Sequence, residues 1–272
     1  LTPDRKPFYG GTYFPPNGKA AQAETGFLTV LSDMETAFRE RRAHVDDVAN
    51  KIASGLSAHL VPHPKGKSPT NAVIFSAVSN FLSEFDTADG GFGAAPKFPR
   101  SVVPEFLLRS FRRTADVRTR VAVEETLVAM ASGGIYDQIG GGFHRYSTDR
   151  RWRIPHFEKM LYDNAQLAVV YLEAYQATNK RDFRDVAAEV LDYLLRDMVA
   201  PEGGFYSASD AENADGEGNY YLWNLKDLRE RLSREEAQLL EAHYGFETDA
   251  KWQGRKIPYV RTPLDMVAKE MD

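Results

Sequence analysis

Apolar residues recur at three- and four-residue steps along most of the chain, the period of a helix with one buried face. Phe27, Leu31, Met34 and Phe38 keep that spacing, and Val45, Val48, Ile52 and Leu56 continue it. One uninterrupted helix of that length is unusual, so a break is expected near Ala43–Asp46. Val61 to Thr70, "VPHPKGKSPT", is rich in proline and reads as a linker. After it the pattern predicts helical hairpins, with helices over 71–85, 102–114, 117–133, 155–178, 182–199, 224–231 and 234–243. Pro155 suits a first helical turn, and Asp182 an N-cap. Residues 1–16, "LTPDRKPFYGGTYFPP", read instead as a turn at Pro3-Asp4 followed by an extended aromatic stretch around Gly10-Gly11.

Between the helices one motif returns: "DGGFG" at Asp89–Gly93, "GGGFHRYS" at Gly140–Ser147 and "EGGFYSAS" at Glu202–Ser209. The phenylalanines at 92, 143 and 205 stand 51 and 62 residues apart, two helices plus loops per unit. Paired helices repeating in this way suggest an array in which each unit buries its apolar face on the next. The glycine pairs permit tight turns, and the phenylalanines read as hydrophobic plugs. Segments 142–154 and 203–223 alternate enough to form short hairpins on one rim.

The predicted helix from Pro155 raises a problem of polarity. At about 100° per residue, Glu158, Lys159, Tyr162, Gln166, Glu173 and Gln176 share one wet arc. His156 and Asp163 fall about 20° apart at the edge of the opposite, apolar face, and Asn164 falls in its middle. Buried groups of this kind persist when protein partners satisfy them or when they line a cavity.

Composition narrows the options. The chain has 272 residues, 43% hydrophobic and 27% charged, an ordinary globular balance for one or two domains. A net charge of −5 gives no electrostatic case for nucleic acid or an anionic membrane. No apolar run reaches the ~20 residues a bilayer needs. With no cysteine there is no disulfide, thiolate or zinc–sulfur chemistry, which is compatible with a reducing cytoplasm. The chain starts at Leu1 and stops in an apparent helix, Leu264 to Met271, so a fragment of a longer protein is expected, with targeting signals outside it.

"LTPDRKPFYGGTYFPP", "DGGFGAAPKFPR", "YDQIGGGFHRYSTDRRWRIPHFEKMLYDNAQL" and "GGFYSASDAEN" together resemble the thioredoxin-domain-containing family that includes the spermatogenesis-associated thioredoxin-like protein. The resemblance covers nearly the whole chain in order. It implies a mainly α fold: a partial (α/α)6 toroid, similar to six-hairpin glycosidases and N-acylglucosamine 2-epimerases, preceded by the C-terminal remnant of a thioredoxin fold. The implied domains are the remnant at 1–60, a linker at 61–70 and the first part of the toroid at 71–272. No residue matches the family's Cys-x-x-Cys segment, so redox activity does not carry over. Half a ring would leave apolar surface bare, so association with another chain or segment is expected to cover it.

Among the candidate groups, His156 at a helix start would stay neutral and could move protons near neutral pH. Asp163, about 10 Å further along the axis, would grip the other end of a sugar-sized ligand. "FHRYSTDRRW" supplies His144, Arg145, Tyr146 and Trp152, donors and ring faces suited to a hydroxyl-rich ligand. In an extended segment His144 and Tyr146 share a face, with Arg145 opposite. Asp137, Asp210 and Glu212 are carboxylates in equivalent inter-helix loops, and paired carboxylates are what glycosidic cleavage needs. Lys97 and Arg100 in "APKFPR" would suit an anionic group, and Asn164 a ligand hydroxyl. "DAENADGEGN" is not an EF-hand, because its first and last ligand positions would be Ala211 and Leu222. The six histidines show no metal-ligand pairing, and no Walker, dinucleotide or His-Glu-x-x-His motif occurs. Neither metal nor cofactor is therefore expected. The reading is a carbohydrate-processing enzyme or its degenerate relative: isomerisation or epimerisation if His156 leads, hydrolysis if the carboxylates Asp137, Asp163 and Asp210 do. The alternative is a redox-linked or client-binding protein in which the toroid is a non-catalytic scaffold.

Overall fold

The computed structural model describes the chain except residues 12–13, 16–25, 61–67, 69, 214–215 and 272. It divides into two compact units, Leu1–Pro69 and Thr70–Asp272. The linker expected over 61–70 lies, apart from Ser68 and Thr70, outside the described residues.

The first unit holds α1 (Phe27–Glu40) and α2 (Arg42–Leu60), which pack on each other and bury Val30, Ala37, Val45 and Ala49. The break between them falls at Arg41, ahead of the predicted 43–46. Arg41 leaves helical backbone geometry (φ −125°, ψ 41°) while its N–H still closes the last turn on Ala37. The turn at Pro3-Asp4 forms, with the Arg5 N–H donating to the Thr2 carbonyl at 2.9 Å. The expected strand hairpin falls partly on residues 12–13 and 16–25, outside the described ones. No strand occurs among the described residues of this unit.

The second unit is mainly helical. It begins with α3 (Asn71–Glu84), α4 (Val102–Thr114) and α5 (Val117–Ser132). Three short strands follow before the next helices: β1 (Tyr146–Ser147) paired with β2 (Pro155–His156), and β3 (Lys159–Met160), whose partner comes later. Then come α6 (Leu161–Thr178) and α7 (Arg181–Asp197). After α7, β4 (Ala208–Ser209) pairs antiparallel with β3, and β5 (Glu212–Asn213) pairs with β6 (Gly216–Glu217). The unit ends with α8 (Leu225–Arg231), α9 (Arg234–His243), β7 (Tyr244–Glu247) paired with β8 (Ile257–Val260), and α10 (Leu264–Met271).

Local chemistry explains the hairpins. Ala115 and Asn179 each take the left-handed conformation (φ 54° and 58°) and end α4 and α6 in tight turns. Asp116 caps α5, and Ser233 with Glu236 makes a capping box on α9. Asp182 lies inside the first turn of α7 rather than at its cap, which is Lys180, and its charge still favours that helix end. The apolar faces of α4, α5, α6 and α7 meet in one core that includes Leu107, Leu127, Leu167, Tyr171 and Val190. Truncating a fully buried leucine such as Leu127 costs about 2–5 kcal/mol. The tight turns lie between α4 and α5 and between α6 and α7. Longer loops follow α3, α5 and α7, and these carry the repeated glycine motif.

In each repeat the motif closes the same small turn. Gly90 donates to Asp86 and Asp86 to Gly91; Gly141 donates to Asp137 and Asp137 to Gly142; Gly203 donates to Ala200 and Ala200 to Gly204. Isolated bridges flank the turns: Phe85 with Phe92, Tyr136 with Phe143, Val199 with Phe205. The second glycine of the pair is required twice over. Gly91 and Gly142 have φ of 87° and 79°, and a Cβ on either would lie 2.5 Å from Trp152 or Tyr193. Phe92 and Phe143 are buried plugs, whereas Phe205 is half exposed.

Candidate functional site

The helix expected from Pro155 begins only at Leu161, and this overturns the helical placement of His156. Residues 155–156 and 159–160 are drawn into strand pairing with 146–147 and 208–209. His156 therefore shares no helical stripe with Asp163. Its ring stacks on Tyr146 (centroids 5.0 Å apart), which stacks in turn on Phe98 (4.7 Å). His156 Nδ1 lies 3.2 Å from Glu217 and its Nε2 3.7 Å from Glu158, which also accepts from Arg145 at 2.7 Å. Asp163 sits half-buried in the first turn of α6. Burial pushes its carboxyl up to about 6, against the pull of Arg145 and with the help of Glu158. Arg145, Tyr146 and His156 thus form one partly exposed cluster.

Four residues expected at a ligand are packed inside instead. Asn164 is fully buried; its amide donates to the carbonyls of Phe143 (3.0 Å) and Met160 (2.9 Å) and accepts from the Phe143 N–H (2.6 Å). It ties the second glycine loop to α6, so protein partners satisfy it. Trp152 is buried, with its indole N–H donating to Gly90 at 3.2 Å. Lys97 is buried, bonded to Asp86 (2.7 Å) and to the Gly90 carbonyl (2.6 Å). His144 is sealed edge-on against Phe157 and Tyr221, its Nδ1 3.0 Å from the Phe157 carbonyl and its Nε2 without a partner. Burial, reinforced by the charge of Lys159, pushes the imidazole down to about 3, so it is neutral at pH 7. His144 and Tyr146 do not act together, because the former faces this core and the latter the Phe98–His156 stack.

The carboxylates converge elsewhere. Asp137, Asp210 and Glu212 line one cavity of about 540 Å³ with Lys159, Tyr193, Arg196, Tyr220 and Tyr221. At its base Lys159 reaches Asp137 (2.8 Å) and the Gly141 carbonyl (2.8 Å), with its ammonium over the rings of Tyr193 (4.5 Å) and Tyr221 (4.9 Å). Burial lowers the Lys159 ammonium, and Asp137 opposes that shift. Burial raises the Asp137 carboxyl, but Lys159 and the Gly140 N–H outweigh it and hold the group below the ordinary range. Asp137 is thus a fixed anion. Asp210 accepts from the Glu212 backbone N–H at 3.1 Å, and both side chains are exposed. Burial raises the Tyr221 phenol to about 12, so it stays a hydrogen-bond donor. Tyr220, 78% exposed, stands against it edge to face at the mouth.

The periodicity reading missed Lys159, Tyr193, Arg196, Tyr220 and Tyr221. Lys159 fell on the wet arc of a helix that does not start until Leu161. Tyr193 reads as an ordinary core position of α7. The repeat held the one usable signal: Lys97 and Lys159 both follow a glycine loop and both bind its aspartate.

Residues 1–57 match the family model Thioredox_DsbH, described as a protein of unknown function, DUF255. Human spermatogenesis-associated protein 20 is 36% identical over 300 residues, spanning 98% of this chain and 38% of its own length. An uncharacterized Caenorhabditis elegans protein is 33% identical over 246 residues, spanning 85% of this chain and 33% of its own. The chain therefore spans little more than a third of the curated relatives it matches. Among solved structures, cellobiose 2-epimerase from Spirochaeta thermophila aligns with TM-score 0.45 and 19% identity, over 52% of this chain and 39% of the epimerase. A D-mannose isomerase aligns with TM-score 0.41 and 13% identity, over 67% and 46% of the two chains. Along 98% of its length the chain is similar to human spermatogenesis-associated protein 20, and this likeness, with the match of residues 1–57 to Thioredox_DsbH, supports the thioredoxin-domain-containing family that includes that protein.

Proposed function

We propose that the second unit binds a carbohydrate in the Asp137–Tyr220 cavity, and that the whole protein processes it there. One observation carries this reading: the loop carboxylates Asp210 and Glu212 share a ligand-sized cavity with three tyrosines. Tyrosine faces suit the C–H patches of a sugar, and carboxylates accept from its hydroxyls. The cations of the cavity are already engaged, Lys159 with Asp137 and Arg196 with Asp197. Asp210 and Glu212 are therefore its available charges, which favours a neutral or amino sugar over an acidic one. Among the described residues no histidine lines the cavity, so acid–base work by this carboxylate pair on a glycosidic bond suits it better than a histidine-centred isomerisation. The fixed Asp137–Lys159 pair would position rather than react.

Calorimetric titration with neutral, amino and acidic mono- and disaccharides tests the binding. Neutral or amino sugars should bind, and Tyr220→Ala should weaken them at least tenfold by removing about 1.4 kcal/mol or more of stacking. Binding of acidic sugars alone, or of none, would refute the reading. The match of residues 1–57 to a thioredoxin-like family favours a second reading, a scaffold that presents client polypeptides. Peptide-array binding that Tyr220→Ala abolishes, with every sugar silent, would decide for it.

A further inference from the structure

We propose that a second cavity, built on the preceding repeat and independent of the carbohydrate site, binds a small anion with one carboxylate or phosphate group at the edge of Arg153. The cavity measures about 620 Å³ and is formed by the Thr87–Gly90 loop, one side of α5 and the side chains of Arg151, Arg153 and Lys180. It repeats the plan of the first cavity, in which the Asp137–Gly140 part of the next glycine loop meets α7.

Its charged groups fall into two kinds. Arg151 pairs with Glu247 at 3.0 Å, Lys180 with Glu124 at 2.9 Å, and Asp89 with Arg150 at 3.2 Å. Arg153 has no such partner: among the described residues no carboxylate lies within salt-bridge distance of it. Its guanidinium lies instead on the Tyr259 ring, 3.2 Å from the centroid. Burial lowers its basicity from the usual arginine value.

Stacking occupies only the face of the guanidinium. The N–H donors lie in its plane, so they remain available at the edge. A planar fork of donors matches a carboxylate or phosphate through two parallel hydrogen bonds. The neighbouring acids do not remove this charge: Glu247 and Asp149 attract it from beyond salt-bridge distance, but Glu247 is paired with Arg151 and Asp149 accepts the backbone N–H groups of Arg151, Arg153 and Ile154. Glu124 is held between Lys180 and Arg120, the latter at 3.6 Å, and Asp89 by Arg150. Exposed Glu125 also lines the cavity, which counts against a bulky polyanion and favours a small ligand.

The test is a titration of the 272-residue chain with sodium acetate and, separately, sodium phosphate at constant ionic strength. The arginine side-chain Nε–H resonances are followed, and Arg153 is identified by the signal lost in Arg153→Gln. A saturable shift of that signal with at least one anion is expected, and the anion that saturates names the group recognised. Arg153→Lys, which keeps the charge and loses the fork, should weaken binding about tenfold and covers the case in which Arg153→Gln misfolds. Tyr220→Ala, in the other cavity, should bind the anion unchanged. A shift that rises linearly without saturating for both anions, or undiminished binding by Arg153→Lys, would overturn the proposal.

Discussion

The first and second glycine loops are built on one plan and used differently. In both, the aspartate that opens the glycine turn accepts from a buried lysine, and that lysine also bonds a glycine carbonyl: Asp86–Lys97–Gly90 and Asp137–Lys159–Gly141. In both, the ammonium faces aromatic rings, Trp152 in the first and Tyr193 with Tyr221 in the second. The difference is Arg150, which grips both Asp86 oxygens (2.6 and 2.5 Å) and closes the first clamp. Among the described residues no arginine grips Asp137; its remaining oxygen takes backbone N–H groups of Ile139 and Gly140, and the clamp is the floor of a cavity. The third loop has Ala200 in the aspartate's place and carries no clamp. A buried ion pair thus serves as a structural staple when fully enclosed and as a fixed charged surface when one side stays open.

Breaking the closed clamp should have the largest effect. Asp86→Ala strands Lys97 and Arg150, and the loss of one partner of a buried pair costs about 3–5 kcal/mol, read as a fall in the urea midpoint. Asp137→Asn should cost less, about 1–3 kcal/mol, because water in the cavity can solvate the stranded Lys159. If the two losses are equal, the second clamp is as closed as the first.

Acid sharpens the same contrast. The Arg150 guanidinium, against the cost of burial and with Lys97 beside it, holds the Asp86 carboxyl far below the usual range. The stability this contributes is complete above the ordinary carboxylate range, near pH 4, and is lost as pH falls below it. Asp163 has the opposite sign. Its carboxyl is raised to about 6, so folding loses stability as pH rises from about 4 through 6. Asp163→Asn should therefore stabilise the protein at pH 7 by about 1–2 kcal/mol, after discounting for its partial exposure, and leave pH 3 stability unchanged. Thermal melts at the two pH values read the difference. The smallest stability effect belongs to Tyr220→Ala at the open mouth, expected within about 0.5 kcal/mol while sugar binding falls.

Much of the helical plan was legible. Helices α4 to α7 were readable because each buries a 3.6-residue stripe, and Ala115 and Asn179 end α4 and α6 where the pattern stops. The repeated glycine turns were readable because only glycine tolerates Trp152 or Tyr193 at contact distance with positive φ. The start of α6 was not, because 155–160 has helical periodicity but its backbone pairs with segments 146–147 and 208–209. Strand partners about 10 and 50 residues away leave no local trace. That one misplacement carried His156 and Lys159 to the wrong faces.

For this protein, local sequence determined helix type, turn position and which groups are chemically able to act, since these depend on period, capping and side-chain identity. Tertiary structure decided which of those groups meet. Asp137, Lys159, Tyr193, Asp210 and Tyr220 come from five separate stretches, and only packing brings them to one cavity. It also sent His144, Trp152, Asn164 and Lys97 into the interior, because each found its hydrogen-bond partner there rather than at a ligand.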